Sequence, residues 1–309
     1  MATINTAWDH VNSNIFKTWV IMFLFSVFVM GVVYVFARGF GYDSVGVLGL
    51  TGFALILTGV MNFVSYWWSD KIVLGISQAK PVSLESNRQL YHMVENIGIA
   101  AGLPTPKIYI IDDTAPNAFA TGRDPKHAAI AFTTGILGKL NKQELEGVTA
   151  HELSHVGNRD TLVMTVVSVL VGTIALLADM YMRSMWFGGR DRDEDRGGNA
   201  IFMVLAIVAA ILAPLIATLI QLAVSRRREF LADASGSILT RNPDALAQAL
   251  IKISRDKEPL EVANRGTAHL YIVNPLKGND ELNNFAKLFS THPSLEDRVK
   301  ALREMEGKL

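Results

Sequence analysis

The chain contains four long apolar segments without a single Asp, Glu, Lys or Arg, and these constrain its fold more than any other feature. They cover residues 18–37, 44–69, 161–178 and 197–225. A helix of about 20 residues crosses the ~30 Å hydrocarbon core of a bilayer, because it rises 1.5 Å per residue. The four segments therefore predict four transmembrane helices, and the first two meet the length most clearly.

The third and fourth segments leave a second interpretation open. The third is the shortest and is followed by Asp179, and the fourth contains Pro214, which a membrane helix tolerates as a kink. Both are also compatible with a buried or interfacial helical hairpin. We take all four to span, which gives a mainly α membrane protein with four transmembrane helices.

The composition agrees with a membrane protein and argues against a nucleic-acid partner. Of the 309 residues, 50% are hydrophobic and only 19% are charged, whereas a typical soluble domain has about 25% charged residues. The 29 Lys and Arg balance the 29 Asp and Glu, so no global basic field attracts phosphates. The absence of Cys excludes disulfides and thiolate metal ligands.

Four crossings place both long polar segments on one side of the membrane. The chain then divides into two membrane hairpins, 1–69 and 161–225, and two polar parts of one domain, 70–160 and 226–309. Basic residues follow the second and fourth spans, at Lys71, Lys80, Arg88 and Arg226 to Arg228. By the positive-inside rule this side is the cytoplasm, although the arginines between the third and fourth spans point the other way.

The polar parts have the pattern of a small α+β domain. Apolar residues at helical spacing predict a helix over 85–101, and β-branched runs predict strands at 107–111 and 128–132. Asn141, with Glu144 in capping-box register, predicts a helix start, and we expect this helix to continue unbroken into the third span. Residues 242–254 and 294–305 have helical patterns. The irregular stretch 260–284 is a candidate cover for a site.

Residues 151–155 read His-Glu-Leu-Ser-His, an H-E-x-x-H motif on the helix predicted after Asn141. His151 and His155 lie at i and i+4, so both project from one helical face and can bind one metal ion. Neutral imidazole nitrogens are good zinc ligands at ~2.0–2.1 Å, and Glu152 can act as a general base without being a ligand. The motif predicts one Zn²⁺ per chain.

A catalytic zinc usually has three protein ligands, so a third must come from elsewhere in the chain. No further histidine follows His155 closely. Glu229, just after the fourth apolar segment, returns to the same side as the motif and would complete the set. Asp233, on the same helical face as Glu229, could accept the spare N–H of one ligand histidine.

The motifs, taken in this order among four hydrophobic segments, resemble the HtpX family of membrane-bound zinc metallopeptidases over nearly the whole chain. The matching motifs are H-E-L-S-H at 151–155, E-F-L-A-D at 229–233, N-A-F-A at 117–120 and T-H-P-S at 291–294 with Arg298. The resemblance implies a cytoplasm-facing α+β zinc protease domain in the cell inner membrane. It also implies an endopeptidase that cleaves misfolded membrane proteins under stress.

Two further groups of residues receive candidate roles. Asn117, Ala118, Phe119 and Ala120 form a short apolar segment, as expected of an edge strand that pairs with an extended polypeptide substrate; an ordinary sheet edge is the alternative. His292 is the candidate for stabilising the oxyanion, and it is chosen mainly from the motif match. Tyr271, His269 and Arg298 are alternatives for the same role.

Two other functions stay open at this point. Zinc motifs alone are also compatible with a site-specific processing protease, such as a prenyl-protein CAAX peptidase. A membrane scaffold stabilised by zinc is the alternative from a different class. Structural zinc sites normally have four protein ligands, and Glu152 would serve no purpose in one, which favours the endopeptidase.

Overall fold

The computed structural model describes residues 7–39, 42–172, 226–264, 266–276 and 293–306. Two long helices come first, α1 (Ala7–Gly39) and α2 (Ser44–Ile76). His10–Tyr34 and Ser44–Ile76 are long and apolar enough to cross a membrane. Much of their apolar surface faces outward, including Phe23 at 66% and Ile56 at 68% exposure, as expected of helices surrounded by lipid.

The described part of the third apolar segment is a shorter helix, α6 (Asp160–Gly172), which is packed into the protein core. Leu162, Val163, Val167 and Leu170 are at most 2% exposed. Within the described residues, two candidate spans are therefore found, where the sequence predicts four. The rest of the third segment and the whole fourth segment, 197–225, lie outside the described residues.

A small four-stranded sheet follows α2, as predicted. Its strands are β1 (Lys80–Pro81), β2 (Lys107–Ile111), β3 (Ala118–Thr121) and β4 (Ala129–Thr133). The order is β1-β2-β4-β3; β2 and β4 are parallel, and the other two pairs are antiparallel. The segment predicted as an edge strand is thus β3, at one end of the sheet.

Six more α-helices are described after α2, in addition to α6: α3 (Arg88–Ala100), α4 (Thr134–Lys139), α5 (Lys142–Gly157), α7 (Arg226–Thr240), α8 (Pro243–Arg255) and α9 (Leu295–Met305). Asn141 and Glu144 form the predicted capping box at the start of α5. One core lies between the sheet and α3, α5 and α8, where Val94, Phe132, Val148 and Leu246 are fully buried. The mainly helical fold with a small sheet is confirmed.

The prediction that α5 continues unbroken into the third apolar segment is wrong. α5 ends at Gly157, Arg159 has a positive φ of 60°, and α6 begins at Asp160. Glycine and asparagine are weak helix formers, and a left-handed residue changes the chain direction. The break brings the Asp160 side chain back toward α5.

Glycine allows α5 and α7 to approach each other very closely. A Cβ atom at Gly236 of α7 would lie 2.9 Å from the backbone nitrogen of His151. Glu229, Asp233 and Gly236 share one face of α7, because they lie at i, i+4 and i+7. The contact at Gly236 therefore holds the two acidic residues against the H-E-x-x-H face of α5.

Candidate metal centre

The two histidines and the glutamate of the motif lie on the buried face of α5. His151 is 1% exposed, Glu152 3% and His155 5%. Burial of a polar face this extensive is costly unless its groups find partners. Three other elements, β3, α6 and α7, supply such partners.

Three donor groups converge at one point, although α7 is distant from α5 in sequence. The Nε2 atoms of His151 and His155 lie 3.2 Å apart. Glu229 Oε2 lies 3.8 Å from His151 Nε2, and Glu229 Oε1 lies 3.6 Å from His155 Nε2. Tetrahedral ligands at ~2.05 Å from a zinc ion are about 3.3 Å apart. The three groups could therefore hold one metal ion after small shifts.

Each histidine has a carboxylate beside its other ring nitrogen. His151 Nδ1 lies 2.9 Å from Asp233 Oδ1, and His155 Nδ1 lies 3.0 Å from Asp160 Oδ2. A carboxylate at Nδ1 favours the tautomer that leaves Nε2 free for a metal. Both histidine rings therefore have the carboxylate contact that is typical of metal-binding histidines.

Arg298 of α9 connects the acidic residues of α7. Its Nε and Nη2 donate to the two oxygens of Asp233 at 2.8 and 2.6 Å, and its Nη1 lies 3.6 Å from Glu229 Oε2. The fork geometry holds the Asp233 carboxylate in a fixed orientation. Arg298 therefore orients the groups around the donor cluster.

Glu152 is held by the edge strand. The backbone N–H of Ala120 in β3 donates to Glu152 Oε2 at 2.8 Å. The register of β3 against β4, with Asn117 O accepting from Thr133 N at 3.0 Å, turns the backbone groups of Ala118 and Ala120 toward the free edge. The carboxylate thus lies at the edge where an added strand would pair.

That edge is already occupied in part by a later stretch of the chain, residues 266–276, which we call the covering segment. Ile272 N donates to Ala118 O at 3.1 Å, and Asn117 Nδ2 donates to Val273 O at 2.9 Å. The Tyr271 ring packs edge-on against Phe119 at 5.1 Å. These residues lie within the stretch predicted as a cover; its last part, 277–284, lies outside the described residues.

Burial and neighbouring charges together shift the pKa values of Glu152, His155 and His151. Burial raises the pKa of Glu152 to about 8, and the nearby Glu229 carboxylate acts in the same direction. Burial alone would lower the pKa of His155, but its hydrogen bond with Asp160 and the charge of Glu229 outweigh it and raise the pKa to about 9. Burial lowers the pKa of His151 despite Asp233.

Comparison with known proteins identifies the family. The sequence model of peptidase family M48 matches residues 84–306, which include every residue of the cluster. The chain belongs to peptidase family M48. It is therefore a metallopeptidase, and its two apolar helices agree with a membrane protein.

Relatives in family M48 are similar along nearly the whole chain. A protease HtpX homolog of Dictyoglomus thermophilum is 44% identical over 300 residues, 97% of this chain and 95% of the relative. The homolog of Pyrococcus abyssi is 49% identical over 269 residues, 86% of this chain and 90% of the relative. The resemblance to membrane-bound metallopeptidases of the HtpX type is confirmed.

Among solved structures, a crystal structure of S. mikatae Ste24p has the same fold. The TM-score is 0.50 at 18% sequence identity, and the match covers 96% of this chain. This chain spans 66% of the length of Ste24p. The similarity supports the arrangement of helices and sheet.

The structure places the predicted residues as follows. His151, His155 and Glu229 meet, Asp233 lies beside His151, and Glu152 lies beside β3. Phe119 is fully buried in the core, where its ring packs against Tyr271. His292, the oxyanion candidate, lies outside the described residues.

The alternatives to His292 have other contacts. The Tyr271 hydroxyl lies 3.3 Å from Ser77 Oγ at the end of α2. His269 Nε2 lies 3.2 Å from Ser168 Oγ of α6. Arg298 is hydrogen-bonded to both oxygens of Asp233.

Sequence reasoning missed Asp160. It is the first acidic residue after His155 and directly precedes the third apolar segment. Its separation of five residues does not match a helical face, so an unbroken helix would turn it away from His155. The signal that could have found it is the Gly157-Asn158 pair, which ends α5 between the two residues.

Proposed function

We propose that the protein is a zinc-dependent endopeptidase in which His151, His155 and Glu229 bind one Zn²⁺ and Glu152 acts as general base and general acid. The observation that supports this most strongly is the donor cluster, with separations of 3.2, 3.6 and 3.8 Å. Carboxylate–imidazole pairs at both histidines add to it. Two histidines, one carboxylate and an acidic residue beside them are typical of hydrolytic zinc sites.

Glu152 would carry the proton in peptide hydrolysis. When bound, zinc supplies a Lewis acid for the scissile carbonyl and for a water molecule. Glu152 accepts a proton from that water and then gives it to the departing amine, a role that typically contributes 10²- to 10⁴-fold to the rate. The positive charge of a metal ion bound by the three donors would favour the carboxylate form of Glu152 and so oppose the effect of burial on its pKa.

The substrate would bind as an extended strand along β3. The outward backbone groups of Ala118 and Ala120 are the pairing groups, and Asn117 and Phe119, two residues apart, support the strand from one face of the sheet. Main-chain hydrogen bonds of this kind give affinity without demanding particular side chains. Because Ile272 and Glu152 already use two of these groups, an arriving peptide must displace the Ile272 contact and release Glu152 from Ala120.

The proposed location and role of the protease agree with a site that is buried under the covering segment. We infer a protease domain on the cytoplasmic face of the inner membrane that cleaves misfolded or damaged membrane proteins under stress. A site with side chains only 1–5% exposed admits no folded protein surface. An unfolded chain that can exchange with the covering segment is the substrate class that fits this arrangement.

The test combines zinc content with proteolysis of full-length protein in detergent. Native protein and Glu152→Gln are compared for bound zinc and for cleavage of casein, an unfolded protein. We expect about one zinc per chain in both proteins and cleavage by the native protein alone, with loss on adding a chelator. Glu258→Gln, which changes an exposed carboxylate, is the matched control and should cleave normally.

Each other outcome points to a different conclusion. Zinc in neither protein would reject the metal site. Cleavage by Glu152→Gln at the native rate would reject the general base. Zinc binding without cleavage of casein, but with cleavage at one position of a defined prenylated peptide, would favour a processing protease.

A further inference from the structure

The first membrane helix carries a buried amide that reaches the edge of the metal centre. Asn14 of α1 is 2% exposed. Its Nδ2 donates to Asp160 Oδ1 at 2.7 Å and to the carbonyl oxygen of Asn158 at 2.8 Å. Its Oδ1 accepts a hydrogen bond from Arg228 Nη1 at 3.0 Å. One side chain therefore connects α1 to the beginnings of α6 and α7.

Two of the three partners of Asn14, Asp160 and Arg228, lie directly beside candidate zinc ligands. Asp160 Oδ1 accepts the hydrogen bond from Asn14, and Asp160 Oδ2 lies 3.0 Å from His155 Nδ1. Arg228 precedes Glu229 in the chain, so fixing Arg228 restricts the position of the Glu229 backbone. Asn14 thus acts on two of the three donors, each through one intermediate residue.

We propose that Asn14 is a positioning residue of the zinc centre, which makes the first membrane helix part of the metal site. It orients Asp160 so that His155 presents Nε2 to the metal, and it fixes Arg228 so that Glu229 completes the donor set. The inference rests on the proposed zinc site. Outer contacts of metal-binding histidines typically change metal affinity by 10- to 100-fold when they are removed.

The chemistry of the contacts explains why an amide is required here. Asp160 and the Asn158 carbonyl need donors, whereas Arg228 needs an acceptor, and an asparagine side chain supplies both. An aspartate at position 14 would place two carboxylates about 2.7 Å apart, as Asn14 and Asp160 are now. An alanine would remove the closest donor to Asp160 Oδ1, leaving Arg228 Nη1 at 3.4 Å.

The α1–α2 hairpin offers a matched control. Asn62 of α2 is also an amide between helices; it donates to Met22 O at 3.1 Å and to Ser26 Oγ at 2.9 Å. These contacts fix α1 against α2 but involve no residue of the zinc site. Asn62→Ala therefore perturbs the hairpin without the connection to Asp160.

The experiment measures zinc affinity of the full-length protein in detergent by competition with a chromophoric chelator. We expect Asn14→Ala to weaken zinc binding by about tenfold or more, and Asn14→Asp to weaken it at least as much. Asn62→Ala should stay within about twofold of the native protein. In Co²⁺-substituted protein, the visible absorption bands should change for Asn14→Ala and remain native for Asn62→Ala, because they report ligand geometry.

Two further variants separate failure of the inference from failure of the proposed function. His155→Ala should abolish tight zinc binding, and Asp160→Ala should weaken it as Asn14→Ala does. If His155→Ala binds zinc normally, the zinc site itself is wrong. If His155→Ala loses zinc while Asn14→Ala matches Asn62→Ala in affinity and spectrum, the positioning role of Asn14 is overturned. Melting temperatures of all variants show which of them are folded.

Discussion

A histidine that binds zinc must first lose its proton, and the carboxylates around His155 favour its protonated form. Asp160 and Glu229 raise the pKa of His155 to about 9 against the effect of burial. His151 differs, because burial lowers its pKa and leaves it neutral near pH 7. The two proposed ligands are therefore unequal: His151 is already neutral, whereas His155 would have to release a proton before it binds a metal ion.

Zinc affinity should consequently depend on pH. Below pH 9 the proton on His155 competes with zinc, so the apparent affinity should fall by about tenfold for each pH unit between pH 8 and pH 6. Chelator competition at several pH values measures this slope. Asp160→Ala removes a contact that raises the pKa of His155 and should flatten the slope; a native protein with no slope in this range would contradict the prediction.

At the scale of elements, the distance between α5 and α7 decides whether the donors can meet. Gly236→Ala would place a methyl group about 2.9 Å from the His151 nitrogen, so the helices must separate. Overpacking of this kind costs ~1–3 kcal/mol of unfolding free energy, and we expect weaker zinc binding as well. Thermal unfolding and chelator competition test both effects.

Gly138→Ala is the control for this variant. Gly138 lies in α4, is exposed, and has no atom within 4 Å of an added Cβ. Alanine at this position should keep or slightly raise stability, since glycine is the weaker helix former by roughly 0.5–1 kcal/mol. Equal stability and zinc affinity in both variants would show that the close approach at Gly236 is unimportant.

In the proposed binding mode, the covering segment and the substrate compete for one backbone oxygen of β3, that of Ala118. Ile272→Pro removes the N–H that donates to Ala118 O, and Tyr271 before it already has an extended conformation that suits a following proline. A single hydrogen bond contributes about 0.5–1.5 kcal/mol net, so KM for unfolded casein should fall by roughly two- to tenfold.

Ile272→Ala provides the comparison, because it keeps the N–H and removes most of the side chain. A KM that falls in Ile272→Pro but not in Ile272→Ala would assign the effect to the backbone contact. If KM is the same in both variants, the covering segment does not compete with the substrate at Ala118.

At the scale of the whole molecule, the orientation in the membrane can be tested at two exposed positions, one between α1 and α2 and one in the polar part of the chain that follows α2. Tyr42, between the two helices, is 52% exposed, and His92 of α3 is also exposed. The chain contains no Cys, so a single introduced Cys is the only thiol. These positions can therefore be labelled separately.

We expect Tyr42→Cys to react with a membrane-impermeant maleimide in intact spheroplasts. His92→Cys should react only after permeabilisation, because the protease domain is proposed to face the cytoplasm. The reverse labelling pattern would place the domain outside. Equal labelling of both positions before permeabilisation would contradict α1 and α2 as membrane-spanning helices.

Much of the fold and part of the site could be predicted from the sequence, because these features depend on neighbouring residues. The capping box at Asn141, strand β2 and the two long apolar helices follow from local pattern and appear as expected. His151 and His155 share a face because of helical geometry alone. Chain parity predicts that Glu229 returns to the side of the motif, and helical spacing places Asp233 on the same face. The structure brings Glu229 to the cluster and Asp233 beside His151.

The tertiary structure decided everything that depends on how distant elements pack. Asp160 reaches His155 only because α5 breaks at Gly157, and Asn14 reaches Asp160 across 146 residues of sequence. The covering segment meets β3 through backbone groups, which every residue carries and no side-chain pattern reveals. The sequence alone determined which chemical groups are present and which helices and strands they occupy. Packing determined their partners, because hydrogen bonds between distant elements depend on helix positions that no local pattern specifies.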